Sequence, residues 1–243
     1  MQHYGSVSAL ALPADNGTWG LGIVTSARDT AARSASGVEV WQKVIGSMPL
    51  LAHWLQGEPL GDIAIMAKIE DRYRRFAVDG TPVVTGVLAV GDSWACTNPS
   101  VGRGSSIALM HAIAFRDLLR TSGSADPLAL ASRWHEVSEN EVGPYVHETL
   151  AFDRHRLAEI DAALEDRPYE TDDPSWLLGK ALETAAFKDP DALRAFMGMG
   201  NLLERAEDVF ARPGMADIVL AAGGEPEPLP GPSRAELVSI FAS

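Results

Sequence analysis

The sequence contains one cysteine, Cys96, so no disulfide can form within the chain and no cluster of thiolates can hold a metal. Basic residues are few: 20 Lys and Arg stand against 33 Asp and Glu, a formal net charge of −13. Nucleic acids and anionic membrane surfaces are held through clustered Lys and Arg, so neither is an expected partner. No apolar run approaches the roughly 20 residues that span a bilayer, and the amino-terminal region lacks a basic start followed by a purely apolar stretch. A cytoplasmic location is therefore expected. The six histidines, His3, His53, His111, His135, His147 and His155, have no ligand-like spacing, and His147 and His155 with Asp153 between them read as a helix surface, so no metal is expected. Hydrolysis by a serine nucleophile is disfavoured as well, because no Gly-x-Ser-x-Gly elbow surrounds Ser93.

What is present is enough apolar residue, 46%, to bury a substantial core. The runs Ser6 to Leu12 and Trp19 to Thr25 flank Asn16-Gly17, two residues that tolerate positive φ, and predict a β-hairpin. Helical spacing of Val40, Trp41, Val44, Ile45, Leu50, Leu51, Trp54 and Leu55 predicts two short helices between Val38 and Gln56, separated at Pro49. Strands are expected at Asp62–Lys68, Arg72–Val78 and Val83–Val90, the last two joined by an Asp79-Gly80 turn.

After Gly104 the period becomes helical. Ile107, Leu109, Met110, Ile113, Ala114, Leu118 and Leu119 predict an apolar face on a helix ending near Ser122-Gly123. Asp126-Pro127, Asp173-Pro174 and Asp189-Pro190 each place a capping carboxylate before a proline at the first helical position, and Ser233 with Glu236 forms a capping box. Four helix starts follow. The stretch from Ala222 to Pro232 reads as a linker.

One segment departs from ordinary core and loop. Gly86 to Val90 reads as a buried strand that ends in Gly91-Asp92; a loop containing Pro99 follows, and Gly102-Arg103-Gly104 then opens a helix beginning Ser105-Ser106. A carboxylate at the carboxyl end of a strand can accept hydrogen bonds from a ligand hydroxyl. Glycines allow close backbone approach, and the first N–H groups of a helix favour a polar or anionic atom.

This order of features resembles the Gly-Asp segment of the FAD-dependent oxidoreductases that include the aromatic hydroxylases, geranylgeranyl reductases and flavin halogenases. The resemblance implies that Gly91 and Asp92 meet the ribityl chain of FAD, that Pro99 flanks the isoalloxazine, and that Gly102, Gly104, Ser105 and Ser106 offer backbone and small polar groups to the pyrimidine edge, with Arg103 adding positive charge. It implies monooxygenase-like chemistry on a small organic substrate, with NAD(P)H as the reductant of the flavin. Many members carry a histidine three residues after the aspartate and an asparagine where this chain has Ser106; the first of these places is Ala95 here.

The resemblance also implies an architecture, an α+β chain with a β-rich region at 1–82 that covers substrate, a flavin-contacting strand, loop and helix at 83–122, and a helical region at 123–243. This is an incomplete FAD/NAD(P)-binding fold. The Gly-x-Gly-x-x-Gly fingerprint that cradles a pyrophosphate is missing: Gly20/Gly22, Gly102/Gly104 and Gly198/Gly200 are followed by Thr25, Ile107 and Leu203 at the third motif position. The chain starts almost directly in a strand, as if downstream of a true start, and is expected to hold FAD weakly by itself. The alternative is a truncated, non-catalytic remnant acting as a binding or interaction module.

Other features have plain readings. Trp94 and Cys96 are expected to pack. Arg72, Arg74 and Arg75, alternating with Tyr73 and Phe76, are expected to form a solvated strand face beside Glu70 and Asp71. Phe187 and the run Phe196-Met197-Gly198-Met199-Gly200 are expected to fill a helical core.

Overall fold

The computed structural model describes residues 1–122, 126–222 and 227–243. In chain order the strands are β1 (Gln2–Tyr4), β2 (Val7–Pro13), β3 (Trp19–Thr25), β4 (Arg72–Tyr73), β5 (Ala77–Val78), β6 (Thr81–Pro82) and β7 (Ala95–Cys96). The helices are α1 (Val38–Gly46), α2 (Gly104–Ser122), α3 (Pro127–Val137), α4 (Gly143–Leu164), α5 (Pro174–Ala186), α6 (Pro190–Gly200), α7 (Ala206–Phe210), α8 (Met215–Ala222) and α9 (Arg234–Phe241). The class is α+β, with more helix than sheet. Two compact units are formed, one from Met1–Ile69, Arg154–Asp173 and Glu227–Ser243, the other from Glu70–Asp153 and Pro174–Pro226.

The first unit is built on the sheet β1-β2-β3, antiparallel throughout, with β2 and β3 in register from Val7↔Thr25 to Pro13↔Trp19. The turn between them takes positive φ at Asn16 and Gly17, as the sequence predicts. Tyr4, Val7 and Ala9 from the sheet meet Val44, Ile45, Met48 and Leu51 from the α1 region, and Leu237 and Phe241 of α9 complete this core. The buried Arg156 and the partly buried Arg234 organise the polar part. Arg156 donates to Ser8 Oγ (3.1 Å) and to the carbonyls of Gly5 (2.8 Å) and Val7 (3.0 Å). Arg234 grips Asp29 with two parallel bonds of 2.6 and 2.9 Å, and Asp29 also accepts the N–H of Ala32.

The second unit has two apolar clusters. One gathers Ala89, Trp94, Ala95 and Ile107 with Val142, Tyr145, Val146 and Leu202; the other gathers Leu182, Ala185, Ala192, Ala195, Val209, Met215 and Val219. The helix starts fall where the prolines and caps place them. Asp126 accepts from Ala129 N, Asp189 from Asp191 N and Ala192 N, and Ser233 with Glu236 closes its capping box. Between α3 and α4 the chain keeps winding through one wide π turn, Ser138–Val142.

Three expected strands are corrected. Residues 62–68 have no regular structure, with Leu60, Ile65 and Met66 exposed. Arg72–Val78 shrinks to β4, paired with β7, and β5, which closes on β6 around Asp79 and Gly80 at positive φ. Residues 83–90 join no strand ladder among the described residues, although Val83 N–H donates to Phe76 O at 2.9 Å, and Val83, Val84 and Val87 are exposed. A strand exists only through its ladder, so alternating apolar residues cannot make one where no neighbour supplies hydrogen bonds.

Two packing expectations are also corrected. On α2 the buried positions are Ile107, His111 and Leu118, whereas Leu109, Ile113 and Leu119 face outward. Phe187, Phe196 and Met197 are exposed rather than core, although Met199 packs beside the second cluster. Gly123, at the expected end of α2, and residues 223–226 of the expected linker lie outside the described residues.

Candidate functional site

The Gly-Asp segment forms a tight turn, Gly91–Ser93, rather than a strand end. Gly91 has φ +59°, and a Cβ there would lie 3.2 Å from Ala108 Cβ, so both conformation and space call for glycine. Ser93 Oγ closes the turn from inside, accepting Val90 N–H (2.8 Å) and donating to Val90 O (2.7 Å). Arg74 closes it from outside, donating to the carbonyls of Asp92 (2.9 Å) and Ser93 (3.3 Å). The exposed carboxylate of Asp92 makes no hydrogen bond among the described residues and is open to a ligand.

Behind the turn lies an aromatic stack. His111 is fully buried, with its ring 4.3 Å from that of Trp134 and nearly parallel, and 4.4 Å from that of Trp94. Its Nδ1 accepts the N–H of Gly91 at 3.1 Å, which leaves the proton on Nε2 to be donated to Ser138 Oγ at 2.8 Å. Ser138 in turn donates to Trp134 O, and Trp134 Nε1 donates to Ala89 O at 2.9 Å. Burial pulls the imidazole pKa down to about 4, so the ring is neutral and its tautomer is fixed by these neighbours.

The loop continues through β7 to Asn98, whose side chain accepts Ser100 N–H and caps the turn Pro99–Val101. Gly102 follows in the left-handed region at φ +69°, with open space where a Cβ would stand. Arg103 O accepts Ile107 N–H, so the first free N–H groups of α2 are those of Gly104, Ser105 and Ser106. Ser105 and Ser106 are exposed. Thr97 Oγ1 is buried without a partner among the described residues, 3.6 Å from where a Cβ on Gly104 would lie. Arg103 turns away from the mouth and donates to Met199 O at 3.2 Å.

A carboxyl pair lies under the loop. Asp71 accepts Asn98 N–H at 2.7 Å, and Asp153, only 4% exposed, accepts Ser100 Oγ–H at 3.3 Å. The other oxygen of Asp153, Oδ2, has no donor among the described residues. Burial first, and then the nearby Asp71 carboxyl, push the Asp153 acid up to about 6, against the charge-favouring bonds from Asn98 and Ser100.

Of the expected site residues, Asp92, Pro99, Gly102, Ser105 and Ser106 are exposed, Gly104 is half-buried, Gly91 is buried and Arg103 is engaged internally. Sequence reading missed His111 and Asp71, gave Arg74 to solvent, and placed Asp153 on a helix surface, whereas its side chain is buried. Only His111 left a trace, as the polar residue between Ile107 and Leu118 on a buried helix face. Of the other two Gly-x-Gly pairs, Gly20/Gly22 lies in β3 and Gly198/Gly200 in α6, so neither forms a phosphate-binding turn. Among the described residues no group of three His, Cys, Asp or Glu side chains comes together to hold a metal, and no helix is long and apolar enough to cross a membrane. Comparison of the chain with models of protein families and with curated proteins finds no match.

Proposed function

We propose that this chain is the flavin-contacting part of an FAD-dependent oxidoreductase of the monooxygenase-like type, acting on a small organic substrate with NAD(P)H as the reductant, on an incomplete FAD/NAD(P)-binding fold. The observation that carries the reading is that one short segment exposes an unengaged Asp92 carboxylate and, after a loop that holds Pro99 and Gly102, the open N–H groups of Gly104, Ser105 and Ser106 at the start of α2. These donors and this acceptor suit a ligand that is both polyhydroxylated and electron-rich along one edge. Asp92 would accept from ribityl hydroxyls. Pro99 and Gly102 present no bulky side chain to a flat ring, and the α2 N-terminus would stabilise negative charge on the pyrimidine edge. The bound flavin would supply the redox chemistry, and the chain its binding and orientation. None of the residues on this surface is assigned a catalytic role.

A second reading, a non-catalytic binding or interaction module, is favoured by one observation: the remaining Gly-x-Gly pairs sit in a strand and a helix and so form no cradle for a pyrophosphate among the described residues. The test is flavin's visible absorption in the purified chain with added FAD, beside a version extended upstream. Flavin held by either, and reduced in occupancy by Asp92→Ala, supports the oxidoreductase; no flavin in both leaves the interaction module.

A further inference from the structure

A buried carboxylate beside a second one ionises only at a cost, and the buried Asp153 and the partly buried Asp71 each hold a different part of the same loop. Asp71, just before β4, takes the N–H of Asn98. Asp153, on α4, takes the hydroxyl of Ser100, and Ser100 also donates to Asn98 Oδ1. The pair therefore grips the segment that leads directly to Gly102 and Gly104. The other charged groups near it are Arg103, whose guanidinium feels both Asp153 and Glu148, and Glu148 itself, further back on α4 and next to Arg205 and Glu207. Arg103 donates to Met199 O at 3.2 Å and keeps its charge, which favours ionised Asp153, yet the Asp153 acid is raised on balance.

We propose that Asp71 and Asp153 are positioning residues, and that a proton held on Asp153 beside Asp71 locks the Asn98–Gly104 loop in its binding conformation and releases it when lost. The inference rests on the reading of this loop as a cofactor contact only for its functional meaning; the lock itself is a property of the chain. With the proton present, one carboxyl donates to the other and the otherwise unpartnered Oδ2 of Asp153 has a role. With the proton absent, two negative charges face each other under the loop and Oδ2 is left without a donor. Since the closed loop raises the acid of Asp153 from 3.8 to about 6, closing takes up a proton, and raising the pH through this range favours opening. A shift of that size corresponds to a change of at most about a hundredfold in the closing equilibrium.

Amide hydrogen exchange of Asn98, Ser100 and Gly102 in the full chain, from pH 5 to 7.5 and corrected with an unstructured peptide, reads the lock without any ligand. Protection should fall by about tenfold across this range, and in Asp153→Asn it should be independent of pH. Protection that is flat in the unaltered chain, or equally pH-dependent in Asp153→Asn, overturns the proposal. Should Asp153→Asn not fold, Asp71→Asn serves: without the second carboxyl the carbonyl-carbon resonance of Asp153 should titrate at lower pH than in the unaltered chain, and an unmoved midpoint overturns the proposal too. Flavin affinity over the same range should follow protection. Exchange that follows pH while flavin is bound at no pH removes the cofactor reading and leaves the lock standing.

Discussion

His111 Nδ1 accepts the backbone N–H of Gly91 across 3.1 Å of buried space. A single imidazole thereby fixes the turn on which Asp92 is carried and fills the slot between Trp94 and Trp134. Replacing it by alanine removes two ring contacts and orphans a buried N–H, so His111→Ala should lower stability by about 3 kcal/mol in urea denaturation. His111→Gln, able to accept from Gly91 through its amide oxygen, should recover part of that loss.

The same imidazole sets an acid sensitivity. Its pKa falls from 6.5 to about 4 on folding, so the unfolded chain binds the proton more readily, and the contribution of His111 is complete above pH 6.5 and lost as the pH falls towards 4. Asp153, raised on folding, acts in the opposite sense and gives back stability over much of the same interval. Thermal melts of His111→Gln should therefore lose less stability between pH 6.5 and 4 than the unaltered chain, and those of Asp153→Asn should lose more.

Glycine replacements separate folding from binding. Gly91→Ala meets both a positive φ and the methyl of Ala108 and should cost about 1–3 kcal/mol of stability. At Gly102 a Cβ meets no atom, so Gly102→Ala should cost only about 1 kcal/mol, yet place a methyl on the surface offered to the flavin. Calorimetry together with flavin titration checks both, the expected outcome being a stability defect in the first and an affinity defect in the second.

In the other unit, Arg234→Ala should be among the most harmful single changes. It strips both bonds from an Asp29 side chain that has no exposure to solvent, and an uncompensated buried carboxylate costs about 3–5 kcal/mol. Asp29→Asn combined with Arg234→Met should recover part of the stability, because neither partner then brings an unmatched charge.

How far the sequence was legible follows from the range of each signal. Caps and prolines act within four residues, and the starts of α3, α5, α6 and α9 were readable from them. The hairpin was readable because Asn16-Gly17 sits between two apolar runs that pair with each other. Residues 62–68 and 83–90 carry an equally good strand pattern, but a strand is decided by a partner elsewhere, which the local pattern does not report. The site divides in the same way. Asp92, Gly102 and Gly104 lie within one short segment and were visible together, whereas Asp71 and Asp153 reach the loop from separations of 27 and 53 residues. Arg74 was assigned to solvent because charge alternating with aromatic residues suggests a surface, and it does lie there, but its guanidinium is bent onto the turn carbonyls.

The grip of Arg234 on Asp29 joins positions 205 residues apart, and the apolar core of that unit likewise needs both Val7 and Leu237. Such distant contacts close slowly, since loop entropy must be overcome before any of them forms. During synthesis the core between the β1-β2-β3 sheet and the α1 region must wait, incompletely covered, until Leu237 and Phe241 of α9 have been made. That interval is when this protein is most exposed to aggregation, and a chaperone would find there its clearest target.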